Sequence, residues 1–371
     1  MKTAFQPEIP ARHDGRVWPV LQPAVESFPP EPPPLSFWRR QARRLHPAFG
    51  KSPALPPGVY ILLYHSVVEP EALQEWERYY RKGSVTAARF ATQMDILAES
   101  MTPLPLSEVP GLWARGDGPR RPCFVVTFDD GFVNNLAVAH PLLRARGIRP
   151  TVFVNAAFAQ GGVLYRVLAA ILTGTGLSGQ LAAALRRALP GPPWSDDPQE
   201  LFNQTKEFYQ ANVMERTIER VYAECRGDPA DLRAHMNVEQ IRQLQQEGWE
   251  IANHTYTHSV LSSLNHQEVV RTVERNGAFW RQQGIELIPF LGYPYGLARD
   301  VHRGVHDYLL SNPHLHGIFA GGGVNLIGNR TEWLRFSLGA AQTRQAISDR
   351  LRGELARTGK ALAQLMNEPS K

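Results

Sequence analysis

Residues 125–131 have the sequence Val-Val-Thr-Phe-Asp-Asp-Gly. The β-branched and aromatic residues at its start predict a buried strand. Asp129 and Asp130 follow directly where this strand ends. Adjacent carboxylates repel each other and are costly to remove from water, so they persist where a cation, a shared proton or bound water offsets that cost. The stretch therefore predicts a polar site at the end of a buried strand.

Two later stretches carry further polar groups at predicted strand ends. Residues 253–258 are Asn-His-Thr-Tyr-Thr-His, and residues 292–296 are Gly-Tyr-Pro-Tyr-Gly. Two histidines and one acid leave an open position on a divalent metal, as hydrolytic metal sites require. His254 and His258 would share one side if the chain turned helical after its strand. We therefore expect Asp129-Asp130, His254 and Tyr295 to meet at one mouth, where the strands of a parallel barrel end.

Strands and helices alternate along most of the chain, which favours parallel strands with helical crossovers. The predicted strands are 59–65, 123–128, 150–155, 249–253, 288–291 and 318–320. The predicted helices are 86–99 with Thr86 as N-cap, 134–146, 237–247 with an Asn237–Gln240 capping box, 267–282 and 342–366. This order predicts an α/β fold, a distorted (β/α) barrel, over residues 58–371.

Two segments interrupt this pattern. Residues 1–57 are rich in proline, which favours an extended arm without a packed core. Within the arm, the basic and aromatic residues 37–45 could touch a membrane surface or an acidic glycan, or could form a solvated arm lying on the domain. Residues 164–236 have helical patterns and predict an insertion, which either shapes substrate access or is simply helical packing.

Composition narrows the classes of protein further. The apolar fraction is 43% and the charged fraction 20%, as in globular proteins. The +5 net charge rests on arginines spread along the chain, so nucleic-acid binding is not predicted. Cys123 and Cys225 do not make a disulfide framework. No signal peptide or membrane-spanning run is visible, so we expect a cytoplasmic protein, with export or peripheral membrane attachment as alternatives.

The three polar stretches, in this order, resemble the NodB-type polysaccharide deacetylases of carbohydrate esterase family four, whose fold is also a distorted barrel. The resemblance implies that Asp130, His254 and His258 bind a divalent metal, best matched by Zn²⁺. It makes Asp129 the general base and gives the backbone N–H of Tyr295 the role of oxyanion donor. Its implied substrate is a carbohydrate.

The chain departs from this family at two places. In many members, the residue two positions before the motif proline is an arginine that orients the catalytic aspartate. Here that residue is Gly292, so another group must hold Asp129. The usual late Leu-x-x-His-Asp motif is also missing, and residues 331–336 are Thr-Glu-Trp-Leu-Arg-Phe. However, Tyr64-His65 resembles the poly-N-acetylglucosamine deacetylase branch, in which an early histidine is the general acid. We assign this role to His65, with four histidines as competing acids or surface-loop residues: His302, His306, His314 and His316.

These observations lead to three hypotheses. The first is a metal-dependent hydrolase of carbon–nitrogen bonds that removes N-acetyl groups from an N-acetylated sugar or polysaccharide. The second is a deacylase of an O-acetyl ester or a non-sugar amide, because the same site could act on either carbonyl. The third is a catalytically silent glycan-binding module. Oligomeric state is not predicted.

Overall fold

The computed structural model describes residues 55–114, 118–326 and 331–367. The predicted proline-rich arm, apart from its last three residues, and the basic patch 37–45 lie outside these ranges. Every paired strand in the described chain is parallel to its neighbour. The strands are β1 (Gly58–Tyr64), β2 (Ser66–Val68), β3 (Ser84–Thr86), β4 (Thr102–Pro103), β5 (Pro122–Phe128), β6 (Thr151–Val154), β7 (Glu250–Asn253), β8 (Leu287–Gly292), β9 (His316–Phe319) and β10 (Glu332–Phe336).

Seven of these strands close into a barrel. Their order is β1-β10-β9-β8-β7-β6-β5, and β5 pairs back to β1 along its whole length, from Gly58↔Pro122 to Tyr64↔Phe128. The short β4 pairs with the first half of β5, and β2 and β3 form a separate ribbon. The predicted distorted (β/α) barrel is thus confirmed.

The barrel is filled by alternate residues of its strands, as the two-residue period of a strand requires. Val59 and Ile61 of β1 lie in one apolar cluster with Val125 of β5 and with a side chain from each of five other strands. Those five are Phe153, Ala252, Phe290, Ile318 and Trp333. The intervening residues, such as Tyr60 and Leu62, pack outward in a second cluster with the surrounding helices.

Helices cover the barrel and occupy its long connections. They are α1 (Glu75–Tyr79), α2 (Ala87–Ala98), α3 (Val109–Ala114), α4 (His140–Arg144), α5 (Ala156–Ala159), α6 (Tyr165–Gly174), α7 (Ser178–Ala188), α8 (Pro198–Glu207), α9 (Val213–Arg226), α10 (Val238–Gln246), α11 (His266–Gln282), α12 (Arg303–Ser311) and α13 (Arg344–Asn367). None of the helices in the described ranges is long and apolar enough to cross a membrane.

Local sequence signals explain several helix ends. Asn237 and Gln240 form the expected reciprocal capping box, with bonds of 2.9 and 3.0 Å. Thr86 caps α2 by accepting from Arg89 N at 3.4 Å. The predicted helix 134–146 instead begins with a π-helical segment, Asn135–Ala139, before α4. Pro141 has no N–H to donate to a carbonyl four residues earlier, which interrupts regular α-helical bonding there.

Helices α6 to α9 lie between β6 and β7 and have their own apolar cluster, which includes Leu168, Leu185 and Ile218. This cluster also takes in Phe132, which follows the two acids at the end of β5. Two backbone bonds tie the end of this helical segment to the same loop: Val133 N to Ala234 O at 2.9 Å and Met236 N to Gly131 O at 2.8 Å. The helices therefore pack directly beside the predicted site. The boundaries 164–236 remain a prediction.

The sequence patterns missed several elements, among them β10 and α12. Strand β10 completes the barrel, although its glutamate and arginine hide the apolar pattern of a buried strand. Helix α12 carries His306, which lies 2.9 Å from Glu332 Oε2, and His302 is its N-cap. His316 lies on β9, so among the four competing histidines only His314 is an exposed loop residue.

Candidate active site

Three buried side chains converge where β5 and β7 end. The ligand atoms of Asp130, His254 and His258 all lie within 4.8 Å of one another. His258 Nε2 is 3.1 Å from Asp130 Oδ1, and His254 Nε2 is 3.6 Å from the same oxygen. The structure thus brings together the three predicted metal ligands, although Asp130 lies more than 120 residues before the two histidines in the chain.

Unsatisfied polar atoms in this cluster fit a cation. Asp130 Oδ1 and His254 Nε2 are buried and have no hydrogen-bond partner in the described chain. Burial would raise the pKa of Asp130, but His258 and His254 outweigh it and lower that pKa, so the carboxylate is charged. Burial lowers the pKa of His258 to about 3, which leaves a neutral imidazole with a free lone pair. A carboxylate and two imidazoles suit Zn²⁺ and similar ions.

Asp129 is held by a buried arginine from the opposite end of the chain. Arg335 Nη1 donates to Asp129 Oδ1 and Nη2 donates to Oδ2, both at 2.6 Å. Strand alternation turns both residues inward: Asp129 continues the series of Val125, and Arg335 lies two residues after Trp333. Burial would raise the pKa of Asp129, but Arg335 lowers it, so this carboxylate is ionised too. Arg335 is the group that holds Asp129.

Gly292 leaves no room for the arginine that many family members have at this position. A Cβ there would lie 2.7 Å from Phe153 Cδ1 and 3.1 Å from His254 Nδ1. The Gly292 carbonyl instead accepts from His254 Nδ1 at 2.8 Å. With its proton on Nδ1, His254 presents Nε2 to the metal position, which is how backbone carbonyls orient ligating histidines.

The two histidines meet through a turn, and not through the helical conformation considered from their spacing. Thr255 and His258 have positive φ values of 66° and 62°, in the left-handed region. Asn253 Oδ1 accepts from Thr255 N at 2.8 Å, and Thr255 Oγ1 accepts from His258 N at 3.2 Å. These side-chain bonds stabilise the unusual backbone and bring the ring centroids of the histidines to 4.9 Å.

Buried amides on neighbouring elements support this turn. Asn276 of α11 donates to Asn253 Oδ1 at 2.8 Å and to Val154 O at 2.9 Å. Asn155 donates to Thr255 O at 3.0 Å. Sequence reasoning missed both residues, because an asparagine within an amphipathic helix or after a strand has no distinctive spacing.

A buried histidine joins the helical segment to the metal-ligand loop. The Nδ1 atom of His235 lies 2.8 Å from Asp130 O, and its Nε2 accepts from Leu164 N at 3.2 Å. The ring is stacked between Phe132 and Phe158, at centroid distances of 4.7 and 4.3 Å. Burial lowers the pKa of His235 to about 4, so it is neutral and its Nδ1–H donates. This bond supports Asp130 at a positive φ of 68°.

Tyr295 lies against the histidine cluster. Its ring meets that of His258 edge-on at 5.0 Å, and its hydroxyl donates to Tyr165 Oη at 2.8 Å. The backbone has a positive φ of 61°. Among the described residues none accepts a hydrogen bond from the Tyr295 N–H. The predicted oxyanion donor is therefore an available N–H.

His65 follows β1, whose end adjoins the end of β5. It is partly exposed, and its ring packs on Gly83, where a Cβ would lie 2.7 Å from His65 Nδ1. Asn135 donates to its carbonyl at 2.9 Å. Asp129, Asp130 and His258 all interact electrostatically with it. His65 thus lies on the solvent-facing side of the cluster.

Comparisons with known proteins agree with this architecture. The family model "Polysaccharide deacetylase" matches residues 208–309, which contain His254, His258 and Tyr295. The structure of the Streptococcus pyogenes deacetylase PplD in complex with acetate is 15% identical with a TM-score of 0.50, and the match covers 80% of this chain and 99% of that one. IcaB from Ammonifex degensii is 16% identical over 80% of this chain and 97% of that one, with a TM-score of 0.49. No curated protein matches.

These findings establish the class of fold. The chain has the (β/α) barrel of NodB-type polysaccharide deacetylases, and its stretch 208–309 is similar in sequence to that family. At such low identity, the likeness to solved structures concerns the fold alone.

The ligand assignment predicts the metal content of two variants. We expect His254→Ala and His258→Ala each to reduce bound metal well below one ion per chain, because each removes one of three protein ligands. Elemental analysis after desalting, with circular dichroism to verify folding, measures this. The exposed His314→Ala is the matched control. Wild-type occupancy in either variant would remove that histidine from the ligand set.

Proposed function

We propose that this chain is a metal-dependent deacetylase that removes N-acetyl groups from an N-acetylated sugar or polysaccharide. The observation that carries the proposal is the pairing of two adjacent, ionised and buried carboxylates with different surroundings. Asp130 faces two imidazoles, and Asp129 faces a guanidinium. One acid is thus suited to bind a cation and the other to accept a proton.

Asp130, His254 and His258 would hold the metal, which fits their unsatisfied buried atoms. A divalent metal held there would polarise an acyl carbonyl and lower the pKa of water. Zn²⁺ is the ion we favour, because it prefers nitrogen and carboxylate ligands in a three-ligand open site. The Gly292 carbonyl and the turn at Thr255 keep the imidazoles in place before any substrate arrives.

Asp129 would act as the general base that takes the proton of the attacking water. Two bonds from Arg335 fix its orientation, so the carboxylate does not need to reorganise during the reaction. The N–H of Tyr295 would stabilise the oxyanion that forms from the acyl carbonyl. One such donor typically contributes roughly 3 kcal/mol to transition-state stabilisation.

His65 would protonate the leaving amine. We expect His65→Ala to lower kcat on an N-acetyl sugar by about 10²–10⁴-fold while bound metal stays at the wild-type level, because general acids contribute about this much. The kcat on an activated aryl acetate, whose leaving group needs no proton, should fall far less. Steady-state kinetics on both substrates measures the difference. Equal losses on both, or a wild-type rate on the sugar, would return the acid role to another group.

The decisive experiment pairs metal content with acetate release from chitooligosaccharides and β-1,6-linked N-acetylglucosamine oligomers. About one ion per chain with released acetate would support the proposal and identify the linkage. Metal without acetate from either sugar, but with hydrolysis of acetate esters or other amides, would favour the second hypothesis. Absence of metal binding after reconstitution would favour the silent glycan-binding module.

A further inference from the structure

Four basic side chains lie beside the candidate site, on the side of Tyr295. We call Lys82, Arg166, Lys206 and Arg299 the basic flank. Lys206 Nζ lies 4.3 Å from the centre of the Tyr295 ring, the ring that contacts His258. The flank is thus one aromatic ring away from a metal ligand.

Arg166 is a buried charge without a carboxylate partner. It is 2% exposed, and no described carboxylate lies within 4.0 Å of it. Its Nη1 donates to Thr205 Oγ1 at 2.5 Å and to Phe202 O, but its Nε has no partner in the described chain. A buried guanidinium bonded only to neutral oxygens is costly unless another charge offsets it.

Lys82 is a second cation of the flank without an acid partner. It is exposed and precedes Gly83, which packs on the ring of His65. No carboxylate in the described ranges lies within 4.0 Å of its ammonium group. Desolvation lowers the pKa of Lys82 to about 8, and repulsion from Arg166 and Lys206 adds to this effect.

Two acids adjoin the flank and do not balance it. Asp300 is shared by Lys206 at 3.6 Å and Arg299 at 4.0 Å. Glu215 is engaged by the Tyr209 hydroxyl at 2.5 Å, and its burial raises its pKa. Four cations therefore face two acids, one of which is already divided between two of those cations. An additional anion would relieve the repulsion among the bases.

We propose that the basic flank binds an anionic group carried by the substrate beside the reacting N-acetyl sugar. The enzyme would thus prefer an acidic saccharide, one with a phosphate ester or a uronate carboxylate, to a neutral one. This inference rests on the proposed function. Lys206 and Lys82 are the contacting residues, since both reach solvent, and Arg166 contributes its charge from beneath them. An oxyanion is the shared chemistry, because both phosphate and carboxylate accept charge-assisted hydrogen bonds from lysine.

The test compares matched substrates by their kcat/KM. The reference substrate is a neutral N-acetylglucosamine oligomer. One acidic substrate is an oligomer that carries a phosphate monoester, and the other is an oligomer in which N-acetylglucosamine alternates with glucuronate. We expect at least one acidic substrate to be preferred by about tenfold, the usual effect of a charged hydrogen bond. The preference should shrink between 50 and 500 mM NaCl as ions screen it. The better acidic partner identifies the source of the anion.

Variants locate the effect on the flank. Lys82→Gln and Lys206→Gln should each reduce the acidic-to-neutral ratio severalfold, whereas Arg187→Gln, at an exposed site on α7, should keep the wild-type ratio. Because Lys82 is exposed, its replacement leaves folding intact. This inference is overturned if the wild-type enzyme deacetylates the neutral oligomer and its acidic-to-neutral ratio of kcat/KM is at or below one for both acidic substrates. That result would not contradict the proposed function.

Failure of the proposed function has a different signature. If no sugar is deacetylated, the anion-binding role of the flank can still be tested separately. Calorimetry then measures the affinities of metal-free protein for the phosphorylated, glucuronate-containing and neutral oligomers. Tighter binding of either acidic oligomer by wild-type protein, lost in Lys82→Gln, supports it. Affinities for both acidic oligomers no greater than for the neutral one overturn it.

Discussion

Asp129→Asn is expected to lower kcat on an N-acetyl sugar by about two to four orders of magnitude, the typical contribution of a general base. Bound metal should remain at the wild-type level, because the metal ligands are Asp130 and the two histidines. The amide keeps the size of the carboxylate and can still accept one bond from Arg335, but it cannot take a proton from water. Steady-state kinetics and elemental analysis on the same preparation measure both quantities.

The chain offers a matched control for this change. Asp95 and Arg146 form a second two-bond pair, at 2.7 and 2.9 Å, but on the surface, where the Asp95 side chain is 59% exposed. Asp95→Asn should leave kcat unchanged. Full activity of Asp129→Asn would contradict the base assignment, and loss of metal from it would make Asp129 a ligand.

Arg335→Met is expected to lower the free energy of unfolding by about 3–5 kcal/mol, the cost of leaving one partner of a buried ion pair uncompensated. Activity should fall as well, because Asp129 loses the group that orients it. The folded-state pKa of Asp129 is below its unfolded value, so the stabilisation is fully present above about pH 4. The difference in the free energy of unfolding between wild type and variant should therefore narrow as the pH falls below that value.

Urea denaturation of a mutant cycle tests the pairing. Arg335→Met combined with Asp129→Asn should destabilise less than the sum of the single changes, because the double variant leaves no buried charge unpaired. The surface counterpart Arg146→Met should cost no more than about 1 kcal/mol. Additive losses at the buried pair would show that Arg335 acts through packing, as its contact with the Phe153 ring at 4.9 Å permits, and not through Asp129.

Backbone strain is concentrated at the candidate site. Six residues other than glycine have positive φ in the described chain, and four of them are Asp130, Thr255, His258 and Tyr295. Such conformations cost of order 1–3 kcal/mol each and persist where the surroundings enforce them. Here His235, Asn253 and Asn276 supply the enforcing hydrogen bonds. Part of the folding free energy therefore offsets the backbone strain of holding these groups at one point.

Much of the site could be predicted from local sequence, because its groups follow buried strands. Apolar runs before Asp129, His254 and Tyr295 predict strands that end at these residues. Parallel strands in a barrel deliver their ends to one mouth, so the meeting of Asp130 with His254 and His258 required no knowledge of side-chain packing. The capping box at Asn237 and the closing helix are likewise local signals that the structure confirms.

The partner of Asp129 depended on the closed barrel. Arg335 lies 206 residues away, in a segment whose charged residues hide its strand, and it reaches Asp129 only because β10 and β5 both flank β1 and both turn alternate residues inward. The turn between His254 and His258 was equally inaccessible from spacing, since its left-handed residues depend on bonds from Asn253 and Thr255. Sequence alone therefore determined which chemical groups gather at the strand ends. Tertiary structure decided how they are held, because orientation in a buried site depends on partners that only chain closure brings within hydrogen-bonding distance.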